Sequence, residues 1–189
     1  RLRIILAGEG LIFSEEEMDA VWSWASKASG VGGIGVGERF SPERANQIIE
    51  LGKKLPRRRI STLFRGMVLP PNTLISPYEP GKDPTVRNDP TLIKKLVGGF
   101  RSWSKRVSSA RYYAKVDLDY WGRKEPVIVQ WKNPDPDALY LDGDIYSKLL
   151  KELTGQSSAL DSNEVLANAS QANFVGFEVK TQYWLYIEG

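Results

Sequence analysis

The chain has neither cysteine nor histidine in its 189 residues. Without cysteine there are no disulfides and no thiolate metal sites. Without histidine the commonest general base and the commonest metal ligand are both missing. Serine–histidine and cysteine–histidine nucleophile schemes are therefore excluded, as are histidine-based zinc sites. No dense carboxylate cluster replaces them, so no metal is expected. Nor does any apolar run approach the roughly 20 residues that cross a bilayer, and no membrane partner is expected. The opening Leu2 to Leu6 segment is too short for a signal-sequence core. The chain begins with arginine, which reads as an excised domain or a processed product.

What is present is ordinary for a globular protein: 41% hydrophobic and 26% charged residues. The length fits one compact domain, since domains take about 100–200 residues. The net charge of +3 conceals an uneven distribution. Residues 1–56 carry 7 basic and 8 acidic side chains, residues 57–124 carry 15 and 5, and residues 125–189 carry 4 and 10. The basic middle section fits either a phosphate-bearing partner or a solvated basic face.

Residues 14–28 read as a helix, with Ser14 and Glu17 in a capping box. Gly30 to Gly37 is a loop. Ser41-Pro42 opens a second helix that runs to about Lys54, with Ala45, Ile48, Ile49 and Leu51 inward. From Arg57 the character turns to β. Ile60 to Leu69 is a strand, and the six prolines of residues 70–90 mark a long loop. A short helix is predicted over 91–97, a strand end at 100–104, and a helix from Ser108. Strands follow at 127–131 and 138–141, and a helix at 144–153. Further strands are predicted at 164–167, 174–179 and 183–187. Asp142-x-Asp144 reads as a loop and helix start. The sum is an α+β pattern: a helical lobe over 1–56 and a mostly antiparallel β core over 57–189, within one compact domain.

Three segments stand out together. Leu63-Phe64-Arg65-Gly66-Met67 places an arginine and a glycine inside an apolar strand. Phe100-Arg101-Ser102-Trp103-Ser104 is a Ser-x-Ser after an aromatic. Asn163-Glu164-Val165-Leu166 puts a glutamate at the start of a strand, directly after a polar loop. In this order the three resemble the arginine–serine–glutamate, cholera-toxin-like branch of the mono-ADP-ribosyltransferases. The resemblance covers roughly residues 57–189. It implies two facing, mostly antiparallel β-sheets with an NAD cleft between them and an N-terminal helical lobe. It also implies cleavage of the nicotinamide–ribose bond of NAD and transfer of ADP-ribose to a macromolecular acceptor. The other large branch of the family binds NAD with a histidine, which this chain lacks.

The resemblance gives each residue a role, and each residue also has a plainer reading. Arg65 would pair with an NAD phosphate; otherwise it makes a structural salt bridge. Gly66 would hold the nicotinamide carboxamide through its main chain, and otherwise it is a bulge glycine. Glu164 would stabilise the oxocarbenium-like ribose, by the principle glycosidases use; otherwise it is a surface charge. Ser102 would orient Glu164, with Ser104 in support; otherwise both are solvent-facing strand serines. Trp103, Tyr112 and Tyr113 are all candidates to stack on nicotinamide.

The chain departs from the family two residues before Glu164. There Ser162 stands where the family has an acceptor-selecting glutamate or glutamine, and Asp161 is one position further back. Arginine as acceptor is thereby in doubt, and NAD hydrolysis becomes one alternative. A second alternative is a non-enzymatic nucleic-acid-binding domain, using the basic 57–124 segment with Arg57-Arg58-Arg59 and its aromatics. The expected partners are NAD as substrate and a protein acceptor, with nucleic acid the rival acceptor class. Toxins and bacteriophages carry such domains, so the cytoplasm of a host or target cell is the expected site of action.

Overall fold

The computed structural model describes residues 17, 42–55, 57–70, 72–74, 89–121, 125–155, 157, 162–169 and 177–181. The expected helix 14–28 apart from Glu17, the glycine loop, most of the proline-rich loop and the strand at 183–187 lie outside these residues. The described elements are four helices and six strands. In chain order they are α1 (Pro42–Lys54), β1 (Thr62–Leu69), α2 (Pro90–Val97), β2 (Gly99–Ser104), α3 (Val107–Trp121), β3 (Glu125–Lys132), β4 (Leu139–Asp142), α4 (Gly143–Thr154), β5 (Glu164–Ala169) and β6 (Phe177–Thr181). A short 3-10 turn at Pro136–Ala138 precedes β4. The fold is α+β, as expected. Of the strand expected at 174–179, residues 174–176 lie outside the described residues, and the described part is Phe177–Thr181, which pairs with β3 from Trp131 to Val127.

The chain divides into two compact units. One comprises Arg1–Arg59, Gly99–Ser102 and Asp135–Asn168; the other comprises Ile60–Gly98, Trp103–Pro134 and Ala169–Gly189. Strand β2 contributes to both. Within the described residues of each unit the strands belong to one antiparallel arrangement, with no second sheet facing it.

In the first unit α1 packs on β4. Ile48 and Leu51 are fully buried, at the helical spacing the sequence shows. Gly52 permits the contact, because a Cβ there would sit 1.9 Å from the carbonyl oxygen of Tyr140. At the end of α1, Lys54 Nζ donates to both carboxylate oxygens of the buried Glu17, at 2.8 and 3.0 Å. Strands β4 and β5 pair antiparallel, with Leu141 opposite Leu166 and Asp142 opposite Val165. The run Val165-Leu166-Ala167 is buried throughout. Asp142 caps α4 by accepting the Asp144 N–H at 2.9 Å, and Gly155 ends that helix in the left-handed region at φ 72°.

In the second unit β1 lies between the end of β2 and β3, with β6 on the far side of β3. The registers set Phe64 opposite Ser104, Arg65 opposite Val129 and Leu63 opposite Trp131. Helix α3 lies over β1 and β3. It comes so close that a Cβ on Gly66 would stand 1.8 Å from the Ala110 carbonyl oxygen and 3.1 Å from Ala114 N. Only glycine fits there, and the small buried Ala110 and Ala114 complete the seat. Side chains alternate across a strand. Gly66, Phe64 and Ser104 therefore take the α3 face, while Leu63, Arg65, Met67, Trp103 and Trp131 take the other. Trp103 and Trp131 meet there with ring centroids 5.1 Å apart. Helix α2 begins at Asp89, whose carboxylate accepts the N–H groups of Thr91 and Leu92, with Pro90 at its first position.

Two outcomes test this packing. Gly66→Ala must push the α3 backbone away from β1, so it should cost roughly 1–3 kcal/mol or more of stability in urea denaturation. A neutral substitution would show that α3 does not sit this close. Burial pushes the Tyr146 hydroxyl up from 10.0 to about 12. The unfolded chain therefore loses its phenolic proton first, and the stability present below pH 10 is lost as pH rises from 10 to 12. Tyr146→Phe should flatten that loss in denaturation curves recorded across this window; an unchanged slope would assign the alkaline loss to other groups.

Candidate functional site

The site grows from one rung between β2 and β5 in the first unit. Strand β2 supplies Ser102. Strand β5 opens with Glu164, immediately after the turn Ser162-Asn163. The Ser102 hydroxyl donates to Glu164 Oε1 at 2.5 Å, across 62 residues of sequence. An O–H to carboxylate bond of this length lies in the short, charge-assisted range. Both side chains are half-buried. The bond restricts the rotamers open to the carboxylate. The buried Val165-Leu166-Ala167 run behind it anchors the strand from which it projects.

Arg65, Gly66, Ser104 and the three aromatics belong to the second unit, and Ser162 to the first. Arg65 is half-buried on the face of β1 away from α3, in the row of Val129. Ser104 takes the opposite face, so the structure does not bring these two together. Ser104 is buried, and its Oγ accepts the backbone N–H of Arg106 at 3.1 Å. It supports the turn into α3, a task for which serine is suited. Gly66 has its Cα side filled by the α3 backbone. The glycine is accounted for by helix packing, neither a bulge nor room for a ligand on that side. Ser162 is exposed. Asp161 lies outside the described residues.

Of the three aromatics that could stack on a planar ligand, Trp103 is 1% exposed. It is spent on Trp131, with its indole Nε1 buried and without an acceptor among the described residues. Tyr112 and Tyr113 are exposed. The basic run 57–59 is less cationic than its sequence. Arg57 pairs with Asp137 at 2.6 Å, and Arg58 pairs with Asp144 at 3.0 Å, which also holds Lys148 at 3.0 Å. Sequence reading missed these pairs because the acidic partners lie 80 and 86 positions away.

Among the described residues no group of three or more histidine, cysteine, aspartate or glutamate side chains could hold a metal ion. Nor is any described helix long and apolar enough to cross a membrane. No protein-family model, curated protein or solved structure matches the chain.

The Ser102–Glu164 bond predicts a measurable coupling. In a double-mutant cycle of Ser102→Ala and Glu164→Gln read by denaturation, the interaction should be worth about 1–2 kcal/mol, reduced from the fully buried value by solvent. Additive single effects would mean that the two side chains do not act as a pair.

Proposed function

We propose that this chain is an NAD-dependent mono-ADP-ribosyltransferase domain of the arginine–serine–glutamate type. One observation carries the reading. Ser102 and Glu164, chosen from separate sequence motifs as an orienting hydroxyl and a catalytic carboxylate, are hydrogen-bonded at 2.5 Å. The two-sheet cleft of that family and the roles of Arg65 and Gly66 belong to the proposal and rest on the resemblance of their motifs.

The chemistry follows from the pair. The bond between the ribose C1′ and the nicotinamide nitrogen breaks, and its electrons leave with neutral nicotinamide. The ribose becomes oxocarbenium-like. A carboxylate fixed beside it stabilises that charge where a mobile one would first have to reorganise. Ser102 acts through Glu164 and is a positioning residue. The acceptor nucleophile then bonds to C1′, and its proton passes to Glu164 or to solvent. Arg65 would neutralise a phosphate of NAD. Gly66 would offer main-chain hydrogen bonds to the carboxamide; the packing of α3 on its Cα leaves only the ladder edge of the residue for this task.

Exposed Ser162 carries neither a carboxylate nor an amide with which to engage an acceptor side chain. Water is therefore the competing acceptor, and NAD hydrolysis is the second reading of the same site. A macromolecular acceptor remains the first reading, and a target-cell protein is its expected class.

Nicotinamide release from labelled NAD, with and without a cell lysate as acceptor pool, tests both. Glu164→Gln should reduce release by about 10²–10⁴-fold, and Ser102→Ala by less, with a larger effect on kcat than on KM. Label appearing on a macromolecule identifies transfer; release that ignores the lysate identifies hydrolysis. No turnover by the folded wild-type chain under either condition would end the catalytic reading.

A further inference from the structure

Between α1 and β1 the chain runs Arg57-Arg58-Arg59-Ile60, and Arg59–Ile60 is where the first compact unit gives way to the second. The three arginines are exposed and belong to no helix or strand. Among the described residues no backbone hydrogen bond reaches Arg57, Arg58, Arg59 or Ile60. The nearest join the Leu55 N–H to the Gly52 carbonyl and the Asn133 N–H to the Ser61 carbonyl. Arg57 and Arg58 are tied to Asp137 and Asp144 by ion pairs open to solvent, a contact that holds weakly. No ion pair among the described residues involves Arg59.

A protease takes its substrate as an extended strand whose N–H and C=O groups are free to bond the enzyme. Exposed segments of that kind are where chains are nicked. Adjacent basic residues recur in the chain, and the other described pairs are unsuited. Lys53-Lys54 closes α1, with Lys54 held on Glu17 and the following N–H, that of Leu55, already bonded. Lys94-Lys95 lies within α2, where the Lys94 carbonyl accepts the Gly98 N–H at 2.7 Å. Lys105-Arg106 turns into α3: the Arg106 N–H donates to Ser104 Oγ, and its carbonyl accepts the Ala110 N–H. Arg57–Arg59 is thus the described basic run whose backbone is open. The chemistry it offers is guanidinium, which fits a carboxylate-lined specificity pocket. The flanking apolar side chains are withdrawn, Leu55 buried and Ile60 half-buried.

We infer that Arg57–Arg59 is a processing site for a protease selective for paired basic residues, cut at Arg59–Ile60. Arg59, the arginine without an ion pair, fills the specificity pocket. Water adds to the Arg59 carbonyl carbon and the C–N bond to Ile60 breaks, leaving a carboxylate on Arg59 and an ammonium on Ile60. The fragment that ends at Arg59 stays in place after the cut. Within the first unit α1 keeps Ile48 and Leu51 buried and Gly52 against Tyr140. Just before the new end, Arg57 and Arg58 keep Asp137 and Asp144. The product is a nicked domain of two associated chains. The site is independent of the Ser102–Glu164 pair and of NAD.

The test is digestion of the folded chain by a purified protease of that specificity, read by intact mass. A synthetic peptide of residues 55–64 supplies the rate for the same segment with no fold around it. The folded chain should be cut at Arg59–Ile60 within about tenfold of the peptide rate, since little structure has to open first. Arg58→Gln, at unchanged melting temperature, leaves no adjacent basic pair in the segment and should abolish the cut. Asp137→Asn releases Arg57 and should speed the cut about two- to fivefold. Cut wild type should elute as one species from a sizing column and as two in denaturant. Four results would overturn the inference: cleavage slower than that tenfold limit, equal cleavage at Lys53-Lys54, Lys94-Lys95 or Lys105-Arg106, cleavage of Arg58→Gln at the wild-type rate, or fragments that part without denaturant. None of them depends on NAD turnover, so failure here leaves the catalytic reading to its own test.

Discussion

The Ala110 carbonyl occupies the space where residue 66 would carry a Cβ. Much of the second unit is a consequence of that contact. It fixes the height of α3 above β1 and demands small residues at 110 and 114. It also determines which strand residues face the helix and which face away. Ser104, on the helix side, is used up in turning the chain into α3. Arg65, one position from Gly66, is sent to the other face. There the neighbouring rows hold the Trp103–Trp131 contact, so its charge stands beside an apolar aromatic pair. An arginine in that position must be engaged by other groups. The same reasoning applied to Gly52, which Tyr140 approaches as closely, explains how α1 is seated on β4.

The Ser102–Glu164 bond belongs to a different kind of constraint. Its contribution to holding the fold is about 1–2 kcal/mol, since half-buried pairs compete with water. Its effect is on freedom. A glutamate at the start of a strand, just after a turn, would sample several rotamers in solvent. One short bond from a neighbouring strand removes most of them. That is what a transition-state-stabilising carboxylate needs, because the energy of orientation is supplied before the reaction begins. A surface charge serving solubility would gain nothing from it.

The parts of this molecule that were legible in the sequence are those set by short-range rules. The helical spacing of Ile48 and Leu51, the Pro42 and Pro90 helix starts, the branched run 127–131 and the capping Asp142 all determine structure within a few residues. The pairing of Ser102 with Glu164 was legible because each sat in a recognisable motif on a strand. Register-dependent features were not. No local pattern says that Arg57 and Arg58 meet Asp137 and Asp144, or that Trp103 is buried while Tyr112 and Tyr113 are exposed. Gly66 could be marked as a close-approach glycine, but not what approaches it. The helix does so, and that depends on where a chain segment more than 40 positions later is laid down.

These register effects also change the meaning of the basic middle section. Its excess of ten positive charges counts Arg57 and Arg58, yet each lies within 3.0 Å of a carboxylate from the acidic final third. Paired ions contribute little field beyond a Debye length of about 8–10 Å. Arg57 and Arg58 therefore add less to the field of that section than its charge count implies. Within that section the exposure of the two tyrosines follows from the helix seat. Successive residues on a helix turn by about 100°. Bringing Tyr112 or Tyr113 inward would rotate Ala110 away from Gly66 and drive a phenol ring into a space that does not admit even a methyl group. The rings are held outward by the same contact that fixes α3, so their exposure is a stable property of this helix.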